Sequence, residues 1–140
     1  MRSRRTSAAG ERDYSHRSLF DKLGVAEGSR VALLGKHDDE FTAALNSLLA
    51  TSPSTRLVGA YDLIFLRIGA LRDLARIAAA AKHLVPNGGL WIFHPKGRGA
   101  SPSDSQVRAA GLAAGLVDNK ISAYTQTHTA TRYVIPRDRR

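Results

Sequence analysis

Residues 61–98 read YDLIFLRIGALRDLARIAAAAKHLVPNGGLWIFHPKGR. An apolar run at Tyr61–Ile68 is followed by an Ala-rich stretch at helical spacing. Pro86-Asn87-Gly88-Gly89 then punctuates the chain before a second apolar run, Leu90–His94. Strands buried on both faces have no alternation, and a parallel pair needs a crossover of a dozen or more residues. The stretch therefore predicts strand, crossover helix, parallel strand. The helix is expected over about Leu71–Leu84, with Leu71, Leu74, Ala75, Ala78 and Ala81 inward and Pro86–Gly89 as the turn that ends it.

Upstream, Arg30-Val31-Ala32-Leu33-Leu34 is a shorter run of the same kind. Asp38 is placed to cap a following helix, with Asp39 and Glu40 in its positive first turn. Phe41, Leu45, Leu48 and Leu49 fall on one face to about Ala50. Leu19, Phe20 and Leu23 allow one helical turn closed by Gly24. Downstream, Ser101-Pro102-Ser103-Asp104 predicts a capped helix carrying Val107, Ala110 and Ala114 inward and ending at Gly115. Asn119–Tyr124 and Thr131–Ile135 predict an antiparallel hairpin at the sheet edge. The fold class is therefore α/β, a small two- or three-layer, mostly parallel Rossmann-like sheet with a C-terminal antiparallel hairpin.

The 140 residues suit one domain, and no apolar run reaches the roughly 18 residues of a membrane span. No membrane association and a cytoplasmic location are expected. Cysteine is absent, which excludes disulfides and thiol chemistry. The net charge is +9, of which residues 1–17 hold +3 and residues 136–140 hold +2. The expected division is a disordered basic tail over 1–17, a domain over 18–136 and a basic tail over 137–140. Such tails keep a protein in solution or attract nucleic acid and other polyanions.

Right-handed crossovers place all three helices on one sheet face if the three parallel strands are laid down in one direction. The other face would then be covered by the N-terminal segment or by a second copy, a homodimer. A sheet order that never reverses also offers no ligand crevice of the switch-point type.

GLWIFHPKG, the helix reading AAGLAAGLVDNKIS and the hairpin ending TRYVIPR resemble the C-terminal half of class I S-adenosylmethionine methyltransferases. Tyr14-Ser15, Lys22-Leu23-Gly24, the YDLI strand at Tyr61–Ile64 and GGLWIFHPKG at Gly88–Gly97 are similar to a bacterial family of uncharacterised proteins, domain of unknown function 3052. The resemblance covers roughly residues 14–136 and implies a truncated methyltransferase-like core. It brings S-adenosylmethionine as the one cofactor to consider. The turn after the first strand, Leu34-Gly35-Lys36-His37-Asp38, has one glycine, and Pro53–Gly59 contains no acid for ribose hydroxyls. On those two departures the expectation is that no cofactor is bound.

The strand ends converge on one rim. They bring Gly35, Lys36 and His37, then Arg67, then His94, Lys96 and Arg98, a set suited to a phosphate, nucleotide or carboxylate. Each has a plainer role. The lysines and Arg98 can be solvated charges, and His94 can be satisfied by a loop carbonyl. Arg67 breaks a wholly apolar strand, so it needs a partner: Asp62, Asp73, a helix C-terminus or a ligand. Asp38-Asp39-Glu40 is explained by helix capping rather than metal, and the five histidines show no metal spacing. No nucleophile elbow or paired carboxylates are present. The expected function is a non-catalytic domain that binds an anionic ligand on this rim. A methyltransferase with a degenerate cofactor loop, or polyanion association through the tails, are the alternatives.

Overall fold

A computed structural model of the chain describes residues 16–140. The predicted N-terminal tail lies outside the described residues except for His16 and Arg17, which begin a helix, α1 (residues 16–23). The remaining elements are β1 (Val31–Leu34), α2 (Asp39–Leu48), β2 (Tyr61–Arg67), α3 (Ala75–Ala81), β3 (Leu84–Pro95), α4 (Asp104–Ala113), β4 (Val117–Ala123) and β5 (His128–Val134). One five-stranded sheet runs in the order β1-β2-β3-β5-β4. The first three strands are parallel, and β5 and β4 are antiparallel, as the hairpin pattern predicts.

The expectation that all helices share a sheet face is corrected. Alternate strand residues Val31, Leu33, Leu63, Phe65, Trp91 and Phe93 pack under α1 and α2 through Phe20, Leu23, Phe41 and Leu45. The intervening residues Ala32, Leu34, Ile64, Leu66, Leu90 and Ile92 pack under α3 and α4 through Ile77, Ala80 and Val107. The result is three layers, with helices on both faces of the three parallel strands. The cause is a single parallel bridge, Ala32 to Ser54. The Leu33 amide donates to the Ser54 carbonyl at 2.7 Å, and the Ser54 amide to the Val31 carbonyl at 2.9 Å. β2 pairs with the other edge of β1, its Asp62 and Leu63 amides donating to the Arg30 carbonyl. After α2 the chain thus lands on the outer side of β1, and a right-handed crossover in that direction puts α2 on the opposite face from α3.

Three local readings also shift. β3 starts at Leu84 and carries Pro86–Gly89 within it as an irregularity, since Tyr61 pairs with Leu84 but Leu63 with Gly89. The helix after β2 opens with a 3-10 turn at Leu71–Leu74, whose tighter pitch shifts the phase of α3. Ile77 and Ala80 therefore face the core while Leu71 is 51% exposed. The cap of α4 is Ser103, in a reciprocal capping box with Gln106, two residues beyond the predicted Ser101.

Phe41 is the hub of the first face, with Phe20, Phe65, Phe93 and Tyr124 rings at 5.3–5.7 Å in edge-on geometry. Truncation to Ala removes those contacts and leaves a cavity. Phe41→Ala is expected to cost about 3–5 kcal/mol in urea unfolding, with an unchanged slope. A loss below about 1 kcal/mol would contradict this packing.

Candidate functional site

The Ser54 bridge has a consequence for ligands. Leaving β1 the chain goes to one side, and leaving β2 it goes to the other, so the order reverses between them. That is a topological switch point, where the strand ends diverge and a crevice opens. The expectation of a sheet without such a crevice is therefore corrected. A cleft of about 400 Å³ lies at this point, lined by Gly35, Lys36, Arg67, Gly69, Asp73, Arg76 and His128.

Gly35 turns the chain out of β1 at φ +86°, and a Cβ there would lie 2.6 Å from the Arg67 carbonyl oxygen. Only glycine fits that close approach of the two strand ends. Arg67 crosses the cleft edge. Its Nη1 is 3.5 Å from the Asp38 carboxylate, and its guanidinium lies 6.0 Å from the centroid of the Tyr124 ring. Asp38, not Asp62 or Asp73, is thus its partner. Asp38 is the N-cap residue of α2 as predicted, but its side chain makes no cap bond and instead accepts a 2.6 Å hydrogen bond from the Tyr124 hydroxyl. The Tyr124 hydrogen bond, and beyond it the Arg67 charge, hold Asp38 below the ordinary carboxylate range. Burial and Asp38 push the Tyr124 phenol up, so it stays a donor. Arg67 Nη1 is buried yet makes no hydrogen bond among the described residues.

Asp73 does not offer its carboxylate to this cluster. It accepts from the Gly69 and Ala70 amides at 2.9 and 3.0 Å, and those bonds hold its pKa down. His128, beside Arg67, is kept neutral by burial and by that charge.

The predicted rim residues separate. Gly35, Lys36 and Arg67 share the cleft. His37 points inward instead, 8% exposed, stacked on Phe41 and edge-on to Phe93. Its Nε2 donates to the Leu34 and Phe65 carbonyls at 3.0 and 2.9 Å, where β1 and β2 end. Burial lowers its pKa, and Nδ1 is left buried without a partner among the described residues. His94 and Lys96 line a different cleft, and Arg98 is exposed at neither. Sequence reasoning missed Tyr124, 86 residues from Asp38, and Arg76 on α3. Neither carries a local pattern that could have shown it.

No protein-family model matches the chain, and no curated protein matches it. Solved structures do. Magnesium protoporphyrin IX methyltransferase from Synechocystis PCC 6803 with bound S-adenosylhomocysteine superposes at TM-score 0.63 and 13% identity, over 88% of this chain and 82% of that one. The glycopeptide N-methyltransferase MtfA gives 0.59 and 11%, over 89% and 90%. The mitomycin 7-O-methyltransferase MmcR gives 0.60 and 10% over 78% of this chain, which spans only 50% of that one. At such identities the likeness is one of fold, the S-adenosylmethionine methyltransferase type of Rossmann-like sheet. It corrects the expectation of a domain without a cofactor. The Synechocystis enzyme of this fold was solved with S-adenosylmethionine as well as with its demethylated product. The one-glycine turn that suggested otherwise stands beside an open switch-point cleft. Among the described residues, no helix is long and apolar enough to cross a membrane.

His37, His94 and His128 all titrate below the ordinary 6.5 because burial opposes their charged forms. The folded chain therefore binds fewer protons than the unfolded one just below that pH. Stability is complete above the unfolded value and falls as pH drops through it. The melting temperature is expected to fall from about pH 7.5 to about pH 5.5, ahead of any carboxylate titration. A constant or rising value over that interval would contradict the buried neutral histidines.

Proposed function

We propose that the chain is a ligand-binding domain of methyltransferase type, whose β1/β2 cleft holds S-adenosylmethionine or S-adenosylhomocysteine by the carboxylate end. The observation that carries this reading is Arg67 at the cleft edge, whose buried Nη1 meets the Asp38 carboxylate only as a 3.5 Å ion pair and makes no close hydrogen bond. A desolvated guanidinium N–H costs free energy until an acceptor meets it, and a carboxylate is its natural partner. Lys36 and Arg76 add positive charge along the same wall. The close turn at Gly35 keeps that wall free of a side chain where β1 and β2 part.

The fit is good at the anionic end and poor at the ribose end. The bridge at Ser54 and the following Thr55–Ala60 contain no acid to receive the ribose hydroxyls. The cationic lining also opposes the sulfonium of S-adenosylmethionine, so the uncharged thioether of S-adenosylhomocysteine is the better ligand. When bound, S-adenosylmethionine supplies an activated methyl group. No nucleophile–base pair and no facing carboxylates line this cleft among the described residues. Binding without transfer is accordingly the function proposed. The same cations suit a nucleotide phosphate, which is the second reading.

Calorimetry is expected to show S-adenosylhomocysteine binding with a dissociation constant of about 1–100 μM, and S-adenosylmethionine several-fold weaker. Lys36→Ala, a change on an exposed loop, is expected to weaken binding about tenfold, and Arg67→Leu further. Binding of AMP or phosphate with no response to either adenosyl ligand would favour the second reading. Silence towards all four would remove both.

A further inference from the structure

A second cleft, of about 340 Å³, opens between α4 and the β4–β5 hairpin, away from the Arg67 cleft. At its floor His94 is 3% exposed. Its Nδ1 lies 3.3 Å from the Pro95 carbonyl and 3.5 Å from the Asp104 carboxylate, both acceptors, so Nδ1 carries the proton. Nε2 then holds a lone pair and accepts the Thr131 hydroxyl at 2.9 Å. Once its hydrogen is committed to His94, the Thr131 oxygen can only accept. It makes the floor an acceptor, complementary to a hydroxyl group.

The walls and rim differ in character. Ile121, on the edge strand β4, is 74% exposed and lines the cleft, as does Tyr133 from β5. An isoleucine this exposed beside a polar floor is an apolar contact surface without a partner among the described residues. Two cations and two carboxylates stand at the opening: Asp118 holds Arg108 at 3.4 Å, the Asp104 side chain is 74% exposed, and Lys96 makes no ion pair among the described residues. Acceptor floor, apolar wall and a single unpaired rim cation, Lys96, in that order, describe the complement of one kind of molecule.

We propose that this cleft is a second ligand site for a small hydroxyaryl carboxylate, its hydroxyl donating to Thr131, its ring on Ile121 and its carboxylate at Lys96. The site is independent of the adenosyl reading of the first cleft. Each part of the ligand answers a separate group, so removing one part removes one contact. Charge at the rim orients the molecule, and the buried hydrogen-bond chain at the floor selects the hydroxyl.

The probe is 4-hydroxybenzoate, titrated into the full chain with NMR detection of side-chain resonances. Saturable shifts are expected at the His94 ring and the Ile121 methyls, with the Gly35 amide unmoved. Benzoate, lacking the hydroxyl, and phenol, lacking the carboxylate, should each bind at least about tenfold more weakly. Thr131→Val and Ile121→Ser should each reduce affinity about tenfold. Ile121 is on the surface, so its variant decides the matter if Thr131→Val does not fold. The proposal is overturned by the absence of saturable shifts at His94 and Ile121, by equal binding of benzoate and 4-hydroxybenzoate, or by Ile121→Ser binding as well as the parent chain.

Discussion

Two backbone hydrogen bonds on the outer edge of β1, between Ser54 and its neighbours Val31 and Leu33, determine how the rest of the chain is arranged. They send α2 across one face of the sheet before β2 can form on the other side. From that come the division of the core into two clusters and the reversal of strand order at β1/β2. The return from Ser54 to Tyr61 is short, and it is held by side-chain contacts. The Tyr61 hydroxyl donates to the Arg56 carbonyl and accepts from the Val58 amide, and the Arg30 guanidinium donates to the Val58 carbonyl. A one-residue strand thus sets a topology for which a longer sheet would use whole strand–helix units.

The strands were legible in the sequence because burial on both faces leaves continuous apolar runs. So were the hairpin and the apolar face of α2. Trp91 spans the layers, its indole N–H donating to the Leu23 carbonyl at 2.9 Å. The bridge at Ser54 was not legible. It lies in Thr51–Thr55, a stretch of turn residues around Pro53, and a single paired residue has no periodicity to detect. Without it the sheet reads as one that never reverses, and the crevice is lost with it. The inner face of α3 was legible only in part: Leu74 and Ala81 pack on the core as predicted, but a 3-10 turn advances about 120° per residue, so a pattern read at helical pitch misses Ile77 and Ala80.

The site was legible as a set of residue types and not as an arrangement. Gly35, Lys36 and Arg67 do meet, because β1 and β2 are neighbours in register, Leu34 against Leu66. His37 looks like a rim residue in sequence but lies just past the strand end, where two free carbonyls can only be satisfied from within. His94 sits one strand further along on the other face, with Thr131. The basic rim is therefore two clefts, with His128 near enough to Arg67 and His94 that both oppose its charged form. Tyr124 and Asp38 reach the first of them only through Arg67, which Asp38 holds and over which the Tyr124 ring lies.

The reversal at β1 either makes a working ligand cleft or it does not. The most direct measurement is a crystal structure of the chain grown with S-adenosylhomocysteine. The expected result is the ligand at the β1/β2 strand ends, its carboxylate on Arg67 Nη1 and Lys36, beside the turn at Gly35. Ligand density away from those strand ends, or Arg67 paired only with Asp38 at saturating ligand, would contradict it.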